Sequence, residues 1–273
     1  MEQVGTFLPP AMTERSESIT PESYAQMQCD WYNATPGSLT GYNCPKCKNR
    51  GYIAVINDGY QTRKECECMR IRKNRQNMEQ SGLSGALDSM TFDSYICTEP
   101  WQERAKATAM NYADKHDGRW LYLAGQSGAG KTHLCTAVCG VLLQRGVSVR
   151  YEMWRTLCRD MQKFETRDKK FQEISECDVL YIDDFLKSAF LKAESADNKG
   201  TIKPDKELTK EINIAFEIVN ERYARKKPTI ISSEIFIQDL FRLDGALAGR
   251  IRERCGGFVS QISNSNDRNY RLK

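Results

Sequence analysis

The chain has 273 residues, 40% hydrophobic and 28% charged, which fits one large or two smaller soluble domains with a true core. No run approaches the ~18 apolar residues of a membrane span, and the N-terminus lacks the basic start and apolar stretch of a secretory signal. A net charge of +4 permits contact with nucleic acid without requiring it.

Residues 1 to 40 are rich in Pro, Ser, Thr and Glu, and "TPESYAQMQCDWYN" reads as a short helix started by Thr20-Pro21. "CPKC" then sets Cys44 and Cys47 two residues apart, and "CEC" sets Cys66 and Cys68 beyond an insert that reads as two strands around the turn signal "NDG". Two short thiol pairs on a hairpin can close a tetrahedral Zn²⁺ site. Free reduced thiols are the alternative, and a redox pair is a poorer one, since no βαβ unit surrounds it. Cys29 is a possible substitute ligand. Cys97 is unassigned, and Cys135, Cys139, Cys158, Cys177 and Cys255 lie in apolar or helical contexts, as reduced thiols in a cytoplasmic protein would. "MRIRKNRQNMEQSGL" reads as a helix closed by Gly82, whose Arg70, Arg72, Lys73 and Arg75 face either solvent or an acidic partner. "SGLSG" reads as a hinge. The domain boundary is therefore expected at 82–88, with domains 1–85 and 86–273.

Beyond Met90 the pattern is β-α-β-α-β-α-β. Strands are expected at 120–125, 147–153, 178–185, 228–233 and 258–263, with helices after the first and at 206–226. In the last helix Leu208, Ile212, Ala215, Phe216 and Val219 share one face, with charges elsewhere. Strands apolar on both faces and separated by helices imply an α/β fold with a covered parallel sheet.

"GQSGAGKTHL" fits the phosphate-loop pattern Gly125-x4-Gly130-Lys131-Thr132, between a strand and a helix. Backbone N–H groups from Gly125, Gln126, Ser127, Gly128, Ala129 and Gly130 through His133 would surround phosphate oxygens at the helix N-terminus. Lys131 can reach the β- and γ-phosphates, and Thr132 can offer its hydroxyl to Mg²⁺. "VLYIDDF" supplies Asp183 for Mg²⁺, on a strand expected beside the loop strand, and Asp184 to polarise the attacking water. "TIISSE" ends a buried strand, where Ser233 and Glu234 could face the γ-phosphate or simply cap the strand. "ALAGRIRERC" places Arg250 and Arg254 four apart; either a neighbouring subunit's γ-phosphate or solvent could receive them.

In that order and spacing these stretches resemble the DnaC/DnaI-type helicase loaders of the AAA+ class. "CPKCKNRGYI…KECEC" resembles the zinc-binding domain of the DnaI-like branch of Gram-positive bacteria, phages and mobile elements. "DSMTFDSY" and the closing "NDRNYRLK" resemble these proteins and the IstB transposition helpers. The resemblance covers residues 44–273. It implies a three-layer αβα AAA+ P-loop domain with a parallel sheet, preceded by a small zinc-ribbon-like domain that grips a replicative DNA helicase hexamer. The ATPase domain would self-associate through the ATP interface and contact single-stranded DNA, in part through the basic and aromatic stretch 154–170. Lys131 and Thr132 would be Walker A residues, Asp183 and Asp184 Walker B, position 234 the sensor-1 position, and Arg250 the arginine finger, with Arg254 a candidate nucleotide sensor. The helical lid of longer AAA+ proteins is expected to be missing. The expected cofactors are ATP, Mg²⁺ and Zn²⁺. Competing readings are an IstB-like helper acting on duplex DNA, against which the zinc ribbon argues, a small-molecule P-loop kinase, and an adaptor using ATP as a switch.

Overall fold

The computed structural model describes residues 20–83, 85–187, 204–263 and 265. The closing "NDRNYRLK" and the residues before Thr20 lie outside them. Contacts divide the chain into two compact units, Met1–Lys73 and Asn74–Lys273, earlier in the chain than the hinge at 82–88. No helix among the described residues is long and apolar enough to cross a membrane.

In the first unit, helix α1 (Pro21–Ala34) starts where Thr20 accepts a hydrogen bond from Ser23 N–H at 3.2 Å, with proline in the first turn. Its Ala25, Cys29 and Tyr32 are buried, while Tyr24, Met27 and Trp31, spaced three and four apart, stay exposed. Strands β1 (Tyr52–Asn57) and β2 (Tyr60–Glu65) pair antiparallel, with Asn57 opposite Tyr60. That register leaves Asp58 and Gly59 as a two-residue turn with φ of +51° and +80°, the geometry that an Asp-Gly pair favours. The Asn33 amide joins α1 to β1, donating to the Ala54 carbonyl and accepting from its N–H, both at 2.9 Å.

Helix α2 (Cys68–Met78) follows, and the division between units falls within it. Its basic residues are partly committed. Arg72 donates to the Tyr42 carbonyl at 2.6 Å and to Asn49 at 3.0 Å, and Arg75 pairs with Glu79 at 3.0 Å and Asp88 at 2.5 Å. At Gly82 φ is +125°, and the helical path breaks there as the sequence predicts, before the single turn α3 (Ala86–Ser89).

The second unit is built on β3 (Leu121–Gly125), β4 (Val149–Met153), β5 (Val179–Phe185), β6 (Thr229–Ser233) and β7 (Val259–Ile262). All neighbours are parallel, in the order β4-β5-β6-β3-β7. Alternation splits β3, β5 and β6 between two apolar clusters. Leu121, Leu123, Val179, Tyr181 and Ile230 pack with helices α4 (Pro100–Lys115) and α5 (Lys131–Gln144). Tyr122, Leu180, Ile182 and Ile231 pack with α6 (Trp154–Met161), α7 (Phe164–Glu176), α8 (Lys206–Ala224), α9 (Ile237–Leu243) and α10 (Gly245–Cys255). The result is a three-layer αβα domain. One expectation is corrected: β5 is not beside β3, because β6 lies between them. Hydropathy cannot order strands that are all apolar on both faces.

Helix α8 starts at Asp205, which accepts from Leu208 N–H at 2.8 Å. Its buried face is Leu208, Ile212, Ala215, Val219 and then Arg222, a charge on the face where the sequence predicts none. Arg222 is fully buried. It donates to Thr229 Oγ1 at 2.9 Å and to the carbonyls of Ile174 at 2.6 Å, Cys177 at 3.2 Å and Pro228 at 2.5 Å. It thereby ties the C-terminal end of α7 to the start of β6, where orphan carbonyls need donors. Arg222→Leu strands these acceptors without water. It is expected to lower stability by about 3–5 kcal/mol, read as a shift in the urea midpoint at unchanged slope.

Candidate functional site

The phosphate loop connects the end of β3 to the start of α5. At Gly125 a Cβ would fall 2.8 Å from the Ile262 carbonyl of β7, so only glycine lets the two strands approach there. At Gly130, with φ of +79°, a Cβ would fall 2.8 Å from the Tyr95 ring. Tyr95 in turn sets its edge on His133 at 5.2 Å, and His133 Nε2 lies 2.8 Å from the Thr91 carbonyl. The "TFDSY" segment thus packs against the loop. Gln126 fixes the other side, donating to the Ser265 carbonyl at 2.8 Å and accepting from its N–H at 2.7 Å. Ser127, Gly128 and Ala129 complete the turn, with Ala129 buried.

Lys131 is 6% exposed and donates to the carbonyls of Gly125 at 2.8 Å and Gln126 at 2.9 Å. Burial lowers its pKa; the carboxylates of Glu234, Asp184 and Asp183 work against that. A buried ammonium at the N-terminus of α5 is suited to a polyanion. Thr132 Oγ1 lies 3.1 and 3.3 Å from the two oxygens of Asp183, so the pair could hold one Mg²⁺ between them. Asp183 is buried and also accepts from Tyr181 OH at 2.9 Å, Tyr151 OH at 3.4 Å and Ser232 Oγ. Asp184 takes a left-handed φ of +55°, which turns its carboxylate away from the run of β5. Its backbone N–H donates to Ser232 Oγ at 3.1 Å, and its carboxylate pairs with Lys187 at 2.9 Å.

The period of two along β6 separates the residues grouped in the sequence. Ser233 is turned to other duties: its hydroxyl donates to the Phe185 carbonyl at 2.8 Å and accepts from Ile235 N–H at 3.0 Å. Ser232 takes its place against Asp183. Glu234 sits just past the strand, 8% exposed, with Lys187 3.4 Å from Oε1.

Neither Arg250 nor Arg254 of α10 bonds to the loop or to the acids. Arg250 donates to the Ala246 carbonyl at 3.0 Å and rests over the Phe216 and Tyr223 rings at 4.9 and 5.7 Å. Arg254 donates to the carbonyls of Gly118 at 2.6 Å and Lys226 at 3.3 Å, both before strand starts. The phosphate loop lies where β3 ends, so Arg254 clamps the opposite end of the sheet and does not fit a sensor of its own nucleotide.

A cavity of about 920 Å³ opens beside Asp184, lined by Trp154, Arg155, Arg159, Lys187 and Glu211 among others. Nearby in sequence Phe164, the first residue of α7, is 93% exposed. The stretch 154–170 therefore does offer basic and aromatic groups.

In the first unit Cys44, Cys47, Cys66 and Cys68 are all buried, and their sulfurs lie within 4.8 Å of one another. Sγ of Cys44 is 3.7 Å from that of Cys66, and Cys47 is 3.4 Å from Cys68. A tetrahedron with Zn–S bonds of ~2.3 Å has S···S edges of about 3.8 Å, so this donor set fits zinc. Burial works to raise the Cys47 thiol, but donation from Gly51 N–H and from neighbouring thiols outweighs it and brings Cys47 to about 7. Cys29 stays outside the cluster and packs with Tyr32 and Ala54.

Ser232, Tyr151, Tyr181 and Lys187 are additions to the site that the sequence does not single out. Tyr181 and Ser232 had a signal, since each is two residues from an acid on the same strand face. Tyr151 and Lys187 had none.

Residues 63–273 match the family model described as IstB-like ATP binding protein. The phage-like element PBSX protein XkdC of Bacillus subtilis (strain 168) is 29% identical over 243 residues, which is 85% of this chain and 87% of that protein. The replicative helicase loader DnaC of Escherichia coli (strain K12) is 24% identical over 183 residues, 64% of this chain and 68% of that protein. The crystal structure of the DnaC helicase loader superposes with a TM-score of 0.51 at 22% identity, covering 66% of this chain and 99% of that one, a likeness of fold.

Proposed function

Because the chain belongs to the family of IstB-like ATP-binding proteins, we propose that it hydrolyses ATP with Mg²⁺ and uses the cycle to load a replicative helicase onto single-stranded DNA. The observation that carries the ATPase reading is the convergence of Lys131, Thr132 and Asp183 at the N-terminus of α5, with Asp184 beside them. Lys131 would bind the β- and γ-phosphates. Thr132 and Asp183 would hold the metal, which supplies charge stabilisation as the γ-phosphoryl leaves. Asp184 would orient the water. Glu234 would border the γ-phosphate. Arg250, unneeded at its own loop, would reach the nucleotide of an adjacent copy.

The loader role rests on the similarity to DnaC together with a four-cysteine cluster in a separate unit, where a structural Zn²⁺ would stabilise a helicase-gripping module. The exposed Tyr24, Met27 and Trp31 give that unit an apolar face, and the stretch 154–170 would meet DNA. A second reading follows from the resemblance to the IstB transposition helpers, in line with a family described as IstB-like: an ATPase that assists a transposase on duplex DNA.

One experiment separates them. The full chain is mixed with ATP·Mg²⁺, single- or double-stranded DNA, and either a hexameric replicative helicase or a transposase. The loader reading expects ATP-dependent co-purification with the helicase and turnover raised by single strands. Stimulation by duplex DNA alone, with transposase capture, would replace it. In the same assay Arg250→Ala is expected to keep ATP binding and lose turnover about 10³-fold. Full turnover by this variant would remove Arg250 from the reaction.

A further inference from the structure

Three carboxylates gather where β5 and β6 end, and they are not equally provided for. Asp183 is surrounded by hydroxyl donors from Thr132, Tyr151, Tyr181 and Ser232. Asp184 is more than a third exposed at its side chain and meets Lys187 at 2.9 Å. Glu234 is 8% exposed, and its Oε1 accepts no hydrogen bond from the described residues. The cation within ion-pair distance of that oxygen is Lys187, at 3.4 Å.

Glu234 follows Ser233, which pairs with Ala124 at the end of β3, where the phosphate loop begins. Of the charges that act on Lys131 against its burial, that of Glu234 is the strongest, ahead of Asp184 and Asp183. An uncompensated carboxylate there would repel a triphosphate, and because Glu234 is buried that repulsion is weakly screened.

We propose that Lys187 is a positioning residue for the triphosphate: it bridges Glu234 and Asp184 so that neither sets a bare negative charge against the γ-phosphate. The inference rests on the reading of the site as an ATP site and adds a residue to it. Lys187 itself is half exposed, with a side chain 49% accessible, so its role is electrostatic and the core does not depend on it.

The consequence is a sign pattern that packing alone does not produce. Removing the lysine leaves Glu234 unpaired and weakens nucleotide binding. Removing the charge of Glu234 in that background restores it, because the Asp184 carboxylate left behind is exposed and screened by water. Removing Glu234's charge alone leaves Lys187 paired with Asp184, takes one negative charge from the crevice and strengthens binding.

The test is calorimetric titration of the full chain with ATP in the presence of Mg²⁺. Lys187→Met is expected to weaken binding about tenfold, and Lys187→Met with Glu234→Gln to return to within about twofold of the parent. Lys187→Arg is expected to bind as the parent does, and Glu234→Gln alone to bind more tightly. Thermal unfolding without nucleotide should not separate Lys187→Met from the parent. Unchanged affinity in Lys187→Met overturns the proposal. So does a double variant as weak as the single one, which would mean that Lys187 touches phosphate directly or supports the fold. Should Lys187→Met misfold, Lys187→Arg decides: lost affinity in that folded, charge-conserving variant also overturns it. A parent chain that retains no ATP fails at a different step, removing the ATP-site reading and this inference with it.

Discussion

Asp183→Asn is expected to lower ATP turnover by about 10³-fold while leaving the fold intact. The amide has the shape of the carboxylate. The groups around it, Thr132, Tyr151, Tyr181 and Ser232, are hydroxyls that can rotate to accept as well as donate. What the substitution removes is the negative charge that would hold Mg²⁺ with Thr132. Phosphate release under saturating ATP·Mg²⁺ measures the loss, and unfolding in urea measures the fold. Turnover within a few-fold of the parent would show that the metal is held elsewhere. Collapse of the fold would show that the hydroxyl network needs the charge for its own sake.

Removal of zinc is the second large effect expected. The buried apolar residues of the first unit, apart from cysteines, are Ala25, Tyr32 and Ala54 among those described. Burying one tyrosine and two alanines contributes a few kcal/mol at ~25 cal/mol per Å², far below the cost of ordering the chain. Structural zinc contributes ~10–16 kcal/mol in small domains of this kind. The full chain is expected to carry one zinc. Cys44→Ser, or a zinc chelator applied without nucleotide, is expected to expose residues 20–73 to protease while residues 86–273 keep ATP binding. A zinc-free chain whose first unit stays protease-resistant would refute the ribbon.

Local chemistry was legible in the sequence, and spatial order was not. The phosphate loop announces itself because seven of its features are contiguous: a strand end, glycines, lysine, threonine and a helix start all fall within residues 121–134. The hairpin was legible for the same reason, since Asn57, Asp58 and Gly59 specify their own turn. Asp183 could be read because an acid after "VLYI" must sit at a strand end. The neighbour of β3 could not be read, because Ile182 and Ile231 are equally suited to every position in a covered sheet. Ser232 and Ser233 cannot be told apart in the sequence, because two adjacent serines differ only in which face they take, and the phase of β6 is set by partners on β5. Arg222 hid within a periodic helix. A guanidinium on the apolar face makes sense only beside Ile174, Cys177 and Pro228, which are remote in sequence. Arg250 and Arg254 share a helix face and look alike in spacing; loops from elsewhere in the chain distinguish them.

The orientation of α10 has one more implication. Its Arg250 rests on aromatic rings and its Arg254 on carbonyls at the far end of the sheet, and neither comes to the loop of its own chain. On the proposed reading a lone molecule, however well folded, is a half-site. Catalysis belongs to the junction between copies, and dilution alone would switch it off.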